Sequence, residues 1–205
     1  MKTIFIFLTA LLLQYDISAQ VKYTLLTPPK NIIDSFVIDI NSDGIPDFIL
    51  KHTQKKELAA GAEAVNFTDD YISLVPLNFN AFTQLPLDFG SMINKDQKWC
   101  TVPADLLWTS HIMLRSKHVK ICKHGPWIRT ADNYIGVQLN LNGQFFYGWI
   151  RIEAANNATS VTIYDFAFTD KPMLGIFCNN AYSIRHCLSV MQFQLPVTEM
   201  TVTGK

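Results

Sequence analysis

Residues 134–141 (YIGVQLNL) and 145–153 (FFYGWIRIE) each alternate with a period of two, and Asn142-Gly143 lies between them. Asn-Gly in that setting predicts a two-residue hairpin, because a type I′ turn needs positive φ at both central residues. This fixes two antiparallel strands, and the rest of the chain reads in the same way. The runs 21–26 (VKYTLL), 35–40 (SFVIDI), 47–51 (DFILK), 71–75 (YISLV) and 161–168 (VTIYDFAF) are short and rich in β-branched and aromatic residues. Turn-forming residues punctuate them: Pro28-Pro29, Asp43-Gly44, Asp69-Asp70, Pro76 and Asn156-Asn157. Helical periodicity is poor. Residues 55–65 have helix-forming composition broken by Gly61, and 105–114 suggest one helical turn. The expectation is an all-β, antiparallel β-sandwich or jelly-roll-like domain over 20–175, with at most one or two short helices.

Composition narrows the class further. Hydrophobic residues make up 49% of the chain and charged residues 17%, which excludes a disordered chain. Seventeen basic residues balance seventeen acidic ones, so the overall charge gives no footing for nucleic acid. The balance is uneven along the chain. Residues 31–110 hold five basic and eleven acidic groups, a net −6, whereas 111–205 hold nine and five, a net +4. Arg115, Lys117, His118, Lys120, Lys123, His124 and Arg129 crowd around Cys122. They read as a solvated loop, with a polyanion patch as the alternative.

The apolar run 4–13 (IFIFLTALLL) is half the length that a membrane-crossing helix needs, roughly twenty residues. With Lys2 before it and Ile17-Ser18-Ala19 after it, residues 1–19 read as a signal peptide cut after Ala19. The expected location is outside the cytoplasm: secreted, periplasmic or at the cell surface, with no membrane span. In an oxidising compartment the even set Cys100, Cys122, Cys178 and Cys187 predicts disulfides. The simplest of the three connectivities pairs Cys100 with Cys122 and Cys178 with Cys187. The second pair staples a C-terminal extension, 176–205. A zinc site is the rival, but no CxxC pair is present.

The nine residues from Asp39 to Asp47 (DINSDGIPD) place oxygen-bearing side chains at loop positions 1, 3, 5 and 9, with Gly44 at position 6. Ca²⁺ takes six to eight oxygen ligands. Alternate residues of a curled loop face inward, which puts Asp39, Asn41 and Asp43 on one ion. Gly44 permits the turn that brings in the Ile45 carbonyl, and Asp47 closes the shell directly or through water. Leu50 stands where an EF-hand has its bidentate Glu, and the flanks look like strands rather than helices. The segment resembles the DxNxDGxxD calcium loops of dockerins, thrombospondin type 3 repeats and FG-GAP and VCBS blades. The alternative is an Asx-rich turn that only joins two strands.

The strand 147–152 (YGWIRI) puts Tyr147, Trp149 and Arg151 on one face, and Gly148, Ile150 and Ile152 on the other. The aromatics are either core anchors or an exposed platform for sugar rings, with Arg151 bonding a hydroxyl or carboxylate and Trp127 as a further aromatic. The YIGV and YGWIR strands, the later 164–168 strand (YDFAF) and the upstream acidic loop together resemble a widespread family of exported bacterial all-β domains. That likeness covers 34–51 and 134–175, and it implies a fold and export without implying an activity.

Catalytic motifs are absent: there is no GxSxG elbow, no HExxH and no phosphate-cradling glycine loop. Asp69, Asp70 and Glu153 are the carboxylates from which a glycosidase pair would be drawn. The sequence therefore predicts a non-catalytic, calcium-binding module with a structural or binding role at the cell surface, its partner a glycan or a surface protein. A lectin-like carbohydrate-binding module is the first alternative, and a hydrolase with a dispersed site the second.

Overall fold

The computed structural model describes residues 21–58, 64–114, 118–128 and 132–179. The expected signal peptide lies outside them, as does most of the 176–205 extension, Cys187 included. Six strands form one sheet in the order β1 (Val21–Ile32), β12 (Val161–Thr169), β11 (Gln144–Ala154), β10 (Asn133–Leu141), β5 (Ala81–Thr83) and β7 (Trp99–Cys100). Five form a second: β2 (Ser35–Ile38), β3 (Phe48–Leu58), β4 (Ala64–Pro76), β8 (Ala104–Leu114) and β9 (Val119–His124). A small ribbon pairs β6 (Met92–Ile93) with β13 (Ile176–Phe177). The pairings are antiparallel throughout, so the fold is the all-β sandwich-like arrangement that the alternation implied. Among the described residues no helix is long and apolar enough to cross a membrane.

The predicted hairpin forms as β10–β11. Leu141 pairs with Gln144, and the intervening Asn142 and Gly143 have φ of 54° and 81°. The described part of 55–65 is strand, 55–58 ending β3 and 64–65 beginning β4, and 105–114 lies within β8, which corrects the helical turn expected there. Long cross-strand registers, Phe48↔Pro76 through Leu58↔Asn66 and Ala64↔Leu114 through Leu74↔Ala104, outweigh local helix-forming composition there. The basic stretch around Cys122 is corrected too: its centre is strand β9 rather than a loop.

The main core fills the space between the sheets. Ile38, Phe48, Leu50, Ile72, Leu74 and Leu107 on one side meet Ile135, Val137, Ile150, Ile152, Ile163 and Phe168 on the other. A second apolar cluster covers the opposite face of the six-stranded sheet: Tyr134, Tyr147, Trp149 and Ala167, closed over by Ile93, Ile176 and Cys178. The folded body therefore continues through Cys178. The proposed Cys100–Cys122 bridge does not form: Cys100 sits on β7 in one sheet and Cys122 on β9 in the other, and both are free thiols. Cys178 is free as well, buried in the second cluster, and that burial pushes its thiol up to about 12.

Gly148 on β11 has no room for a side chain against β12. A Cβ there would run into the Ala167 carbonyl oxygen and meet the Phe168 Cβ at 2.9 Å. Neither atom can retreat without moving a central strand. Gly148→Ala is expected to cost about 1–3 kcal/mol of stability, read from the urea midpoint at unchanged m-value.

Candidate functional site

The acidic loop joins β2 to β3 at one end of the sandwich. Ser42 and Gly44 take φ of 60° and 86°, and the segment curls on itself. Asp39 anchors the curl. Its Oδ1 accepts the Ser42 N–H at 2.7 Å and the Asp43 N–H at 3.3 Å, and its Oδ2 accepts the Gly44 N–H at 2.8 Å. Asn41 Oδ1 accepts the Asp43 N–H at 3.0 Å, while Asn41 Nδ2 donates to Asp43 Oδ2 at 2.9 Å. Asp43 Oδ1 accepts the Ile45 N–H at 2.8 Å. The side chains at positions 1, 3 and 5 are thus turned onto the same short backbone segment. Among the described residues, no three Asp, Glu, His or Cys side chains lie close enough together to hold a metal by themselves.

Asp47 has a different place from its loop companions. It is buried beneath the loop, where its Oδ2 accepts the Ile40 N–H at 2.8 Å and its Oδ1 accepts Asn80 Nδ2 at 3.0 Å. Asn80, also buried, accepts the Asn140 N–H at 2.8 Å through its own Oδ1. Asp47, Asn80 and Asn140 therefore tie the β2–β3 corner of one sheet to β10 of the other. Burial raises the Asp47 carboxyl above its ordinary value. The Ile40 and Asn80 bonds work against that rise, and the charges of Asp39 and Asp43 add to it. Above this network lies an open cleft of about 370 Å³, lined by Asp43, Ile45, Asn78, Asn140 and Asn142 together with the two buried groups.

The aromatic platform is corrected. Tyr147 and Trp149 are 0% exposed and Trp127 is 1% exposed, so none of them offers a face to a sugar. Trp149 packs edge-on against Tyr134 at 5.2 Å, and Trp127 donates its Nε1–H to the Gln84 carbonyl at 3.0 Å. Arg151 shares the Trp149 face as expected, but three of its five N–H groups are engaged within the protein. Nε and Nη2 grip the fully buried Asp165 at 2.8 and 2.7 Å, and Nη1 reaches Asp132 at 3.0 Å. Burial opposes the guanidinium charge, but the Asp165 contacts outweigh it and hold the Arg151 pKa above its ordinary value.

The carboxylates considered for a glycosidase are separated as well. Asp70 is buried on β4 against His52 Nε2 and Gln54 Nε2, Asp69 takes the Tyr71 hydroxyl, and Glu153 bonds Tyr164 on the other sheet.

One aromatic row escaped the sequence. Tyr71, Trp108 and His124 sit at paired positions on β4, β8 and β9. Tyr71 stacks on Trp108 at 5.8 Å, Trp108 on His124 at 4.6 Å, and Lys55 Nζ lies 5.1 Å over the Tyr71 ring. Each ring covers its neighbour's face, so the row braces the sheet and leaves no flat aromatic surface on Trp108. No sequence spacing links these residues; only the register brings them together.

Two predictions follow from the buried polar groups. Asn80→Ala strands one Asp47 oxygen and the Asn140 N–H, and should lower unfolding free energy by about 2–3 kcal/mol, measured in urea. Arg151→Met leaves Asp165 buried without its counter-charge, the Tyr23 hydroxyl still donating to it, and should cost about 3–5 kcal/mol; Arg151→Met with Asp165→Leu should regain most of that loss. Comparison with family models, curated proteins and solved structures finds no match for this chain.

Proposed function

We propose that the chain is an exported, non-catalytic β-sandwich module with a structural or binding role at the cell surface, and that its 39–47 loop takes one Ca²⁺ as a staple. The observation that carries this reading is the curl of the loop around Asp39, with Asn41 and Asp43 drawn onto the same turn. The donors are all hard oxygens, as Ca²⁺ requires. Both carboxylates keep capacity to spare: each offers about four lone-pair sites, of which Asp43 uses two and Asp39 three. Asp39 and Asp43 would bind directly, joined by the Asn41 amide oxygen and the Ile45 carbonyl. Asp47, its oxygens already engaged, supports the ion through its charge or a bridging water. A cation would also relieve the repulsion that Asp39 and Asp43 exert on Asp47.

A lectin-like role is the second reading, and its seat moves from the buried aromatics to the cleft. Asn78, Asn140 and Asn142 line it beside Asp43 and offer amide donors and acceptors for sugar hydroxyls. Calcium-dependent signal on a glycan array, lost in Asn142→Ala, would favour it over a purely structural ion.

The calcium reading is tested by calorimetry and thermal melts. The protein should bind Ca²⁺ and gain about 2.7 kcal/mol at a hundredfold excess over Kd, with both effects absent in Asp43→Ala. An unchanged melting temperature at millimolar Ca²⁺ would reject it.

A further inference from the structure

Strand β9 pairs with β8 along one side, from Trp108↔His124 to Met113↔Val119, and has no neighbour on its other side among the described residues. Its second edge therefore carries backbone N–H and C=O groups turned outward, a template on which another extended chain can form hydrogen bonds. Five of its six residues are exposed. Val119 and Ile121 are 54% and 53% exposed and share one face, whereas Lys120 and His124 lie on the other. Neither Lys120 nor Lys123 has an ion-pair partner among the described residues.

Charge decides which strand this edge accepts. Antiparallel pairing of β9 with a second copy, centred on residues 121 and 122, would set Lys120 of each copy against Lys123 of the other. Parallel in-register pairing would set each lysine beside its own equivalent. Like charges directly opposite one another destabilise a sheet, and lysine on an edge is a device that blocks self-association. The same two lysines attract carboxylates. Three residues apart, they lie on opposite faces of the sheet, so a matching strand carries acidic residues at i and i+3, with apolar side chains over Val119 and Ile121.

We propose that β9 is a docking edge for an extended acidic segment of another protein, added beyond β9 as a sixth strand. Backbone hydrogen bonds supply affinity, and Lys120 and Lys123 supply polarity and register. An anionic polysaccharide would satisfy the lysines but leave the outward N–H and C=O groups unanswered, so a peptide strand is the better fit. The inference is independent of the calcium loop, which lies at the opposite edge of the same sheet, between β2 and β3.

The probe is a capped eight-residue peptide of valine and threonine with two glutamates three positions apart. Its control replaces both glutamates with lysine, and heparin serves as a non-peptide polyanion. Binding is followed by amide chemical shifts and hydrogen exchange of the full chain at low salt, with and without Ca²⁺, and size-exclusion chromatography reports self-association. The acidic peptide should bind about tenfold or more tighter than its lysine twin, as two favourable against two unfavourable cross-strand pairs imply. It should also protect β9 amides, equally with and without the ion. Lys120→Glu with Lys123→Glu should invert the preference, and Lys120→Gln with Lys123→Gln should abolish it. Equal binding of both peptides, shifts confined to other strands, protection of the same amides by heparin, or self-association through β9 would each overturn the proposal.

Discussion

Strand β11 is covered on both faces, and much of the molecule is arranged around that constraint. Ile150 and Ile152 point into the space between the sheets, while Tyr147 and Trp149 point outward into the second cluster. Only at its far end does the outward face open to water, at Glu153; Arg151, one position inward on that face, is still largely buried, a charge in conflict with its surroundings. Asp165, at the paired position on β12, resolves the conflict with a bidentate grip. The geometry is the one in which a buried ion pair offsets its own desolvation: parallel N–H···O contacts, with a further acid, Asp132, on the remaining nitrogen. Gly148 meets the same constraint on the inner face, where the Ala167 carbonyl leaves no room for a side chain.

The loop end depends on that frame through Asp47. A flexible acidic turn would lose conformational entropy on gathering its side chains. Here the turn is already tied at its base, because Asp47 binds Ile40 within the loop and Asn80 across to the other sheet. Asn140, held by Asn80, lies just before the Asn142-Gly143 turn, and its side chain accepts the Gly143 N–H. One polar chain therefore links the acidic loop to the tip of the central hairpin, and the cleft lies between the two.

Much of this frame could be read from the residues alone. Period-two alternation and Asn-Gly placed β10 and β11 almost to the residue, since a buried sheet face enforces alternation and a type I′ turn enforces its two residues. Local signals failed where register decides the outcome. The 105–114 segment joins a strand through its partners on β4 and β9, and the stacked row of Tyr71, Trp108 and His124 exists only because those registers align. Alternation puts Tyr147 and Trp149 on one face, but the ribbon that covers that face comes from 92–93 and 176–177, far away in sequence. Spacing groups Asp47 with Asp39 and Asp43, but its partner Asn80 stands 33 residues further on. Compartment chemistry sets whether thiols oxidise but cannot bring β7 and β9 together.

The uneven charge noted along the chain acquires a spatial meaning in the second sheet. Its acidic loop follows β2 at one edge, and its basic strand β9 forms the other. Four strand spacings of about 4.8 Å separate the two edges, roughly 19 Å. That is about twice the screening length at physiological salt, near 8 Å. Across such a gap the two charged regions neither neutralise each other nor respond appreciably to one another's ligands. Each edge can therefore be read as an independent electrostatic surface, and the zero net charge of the chain conceals two opposite local ones. Whatever approaches this protein meets one of them rather than their average.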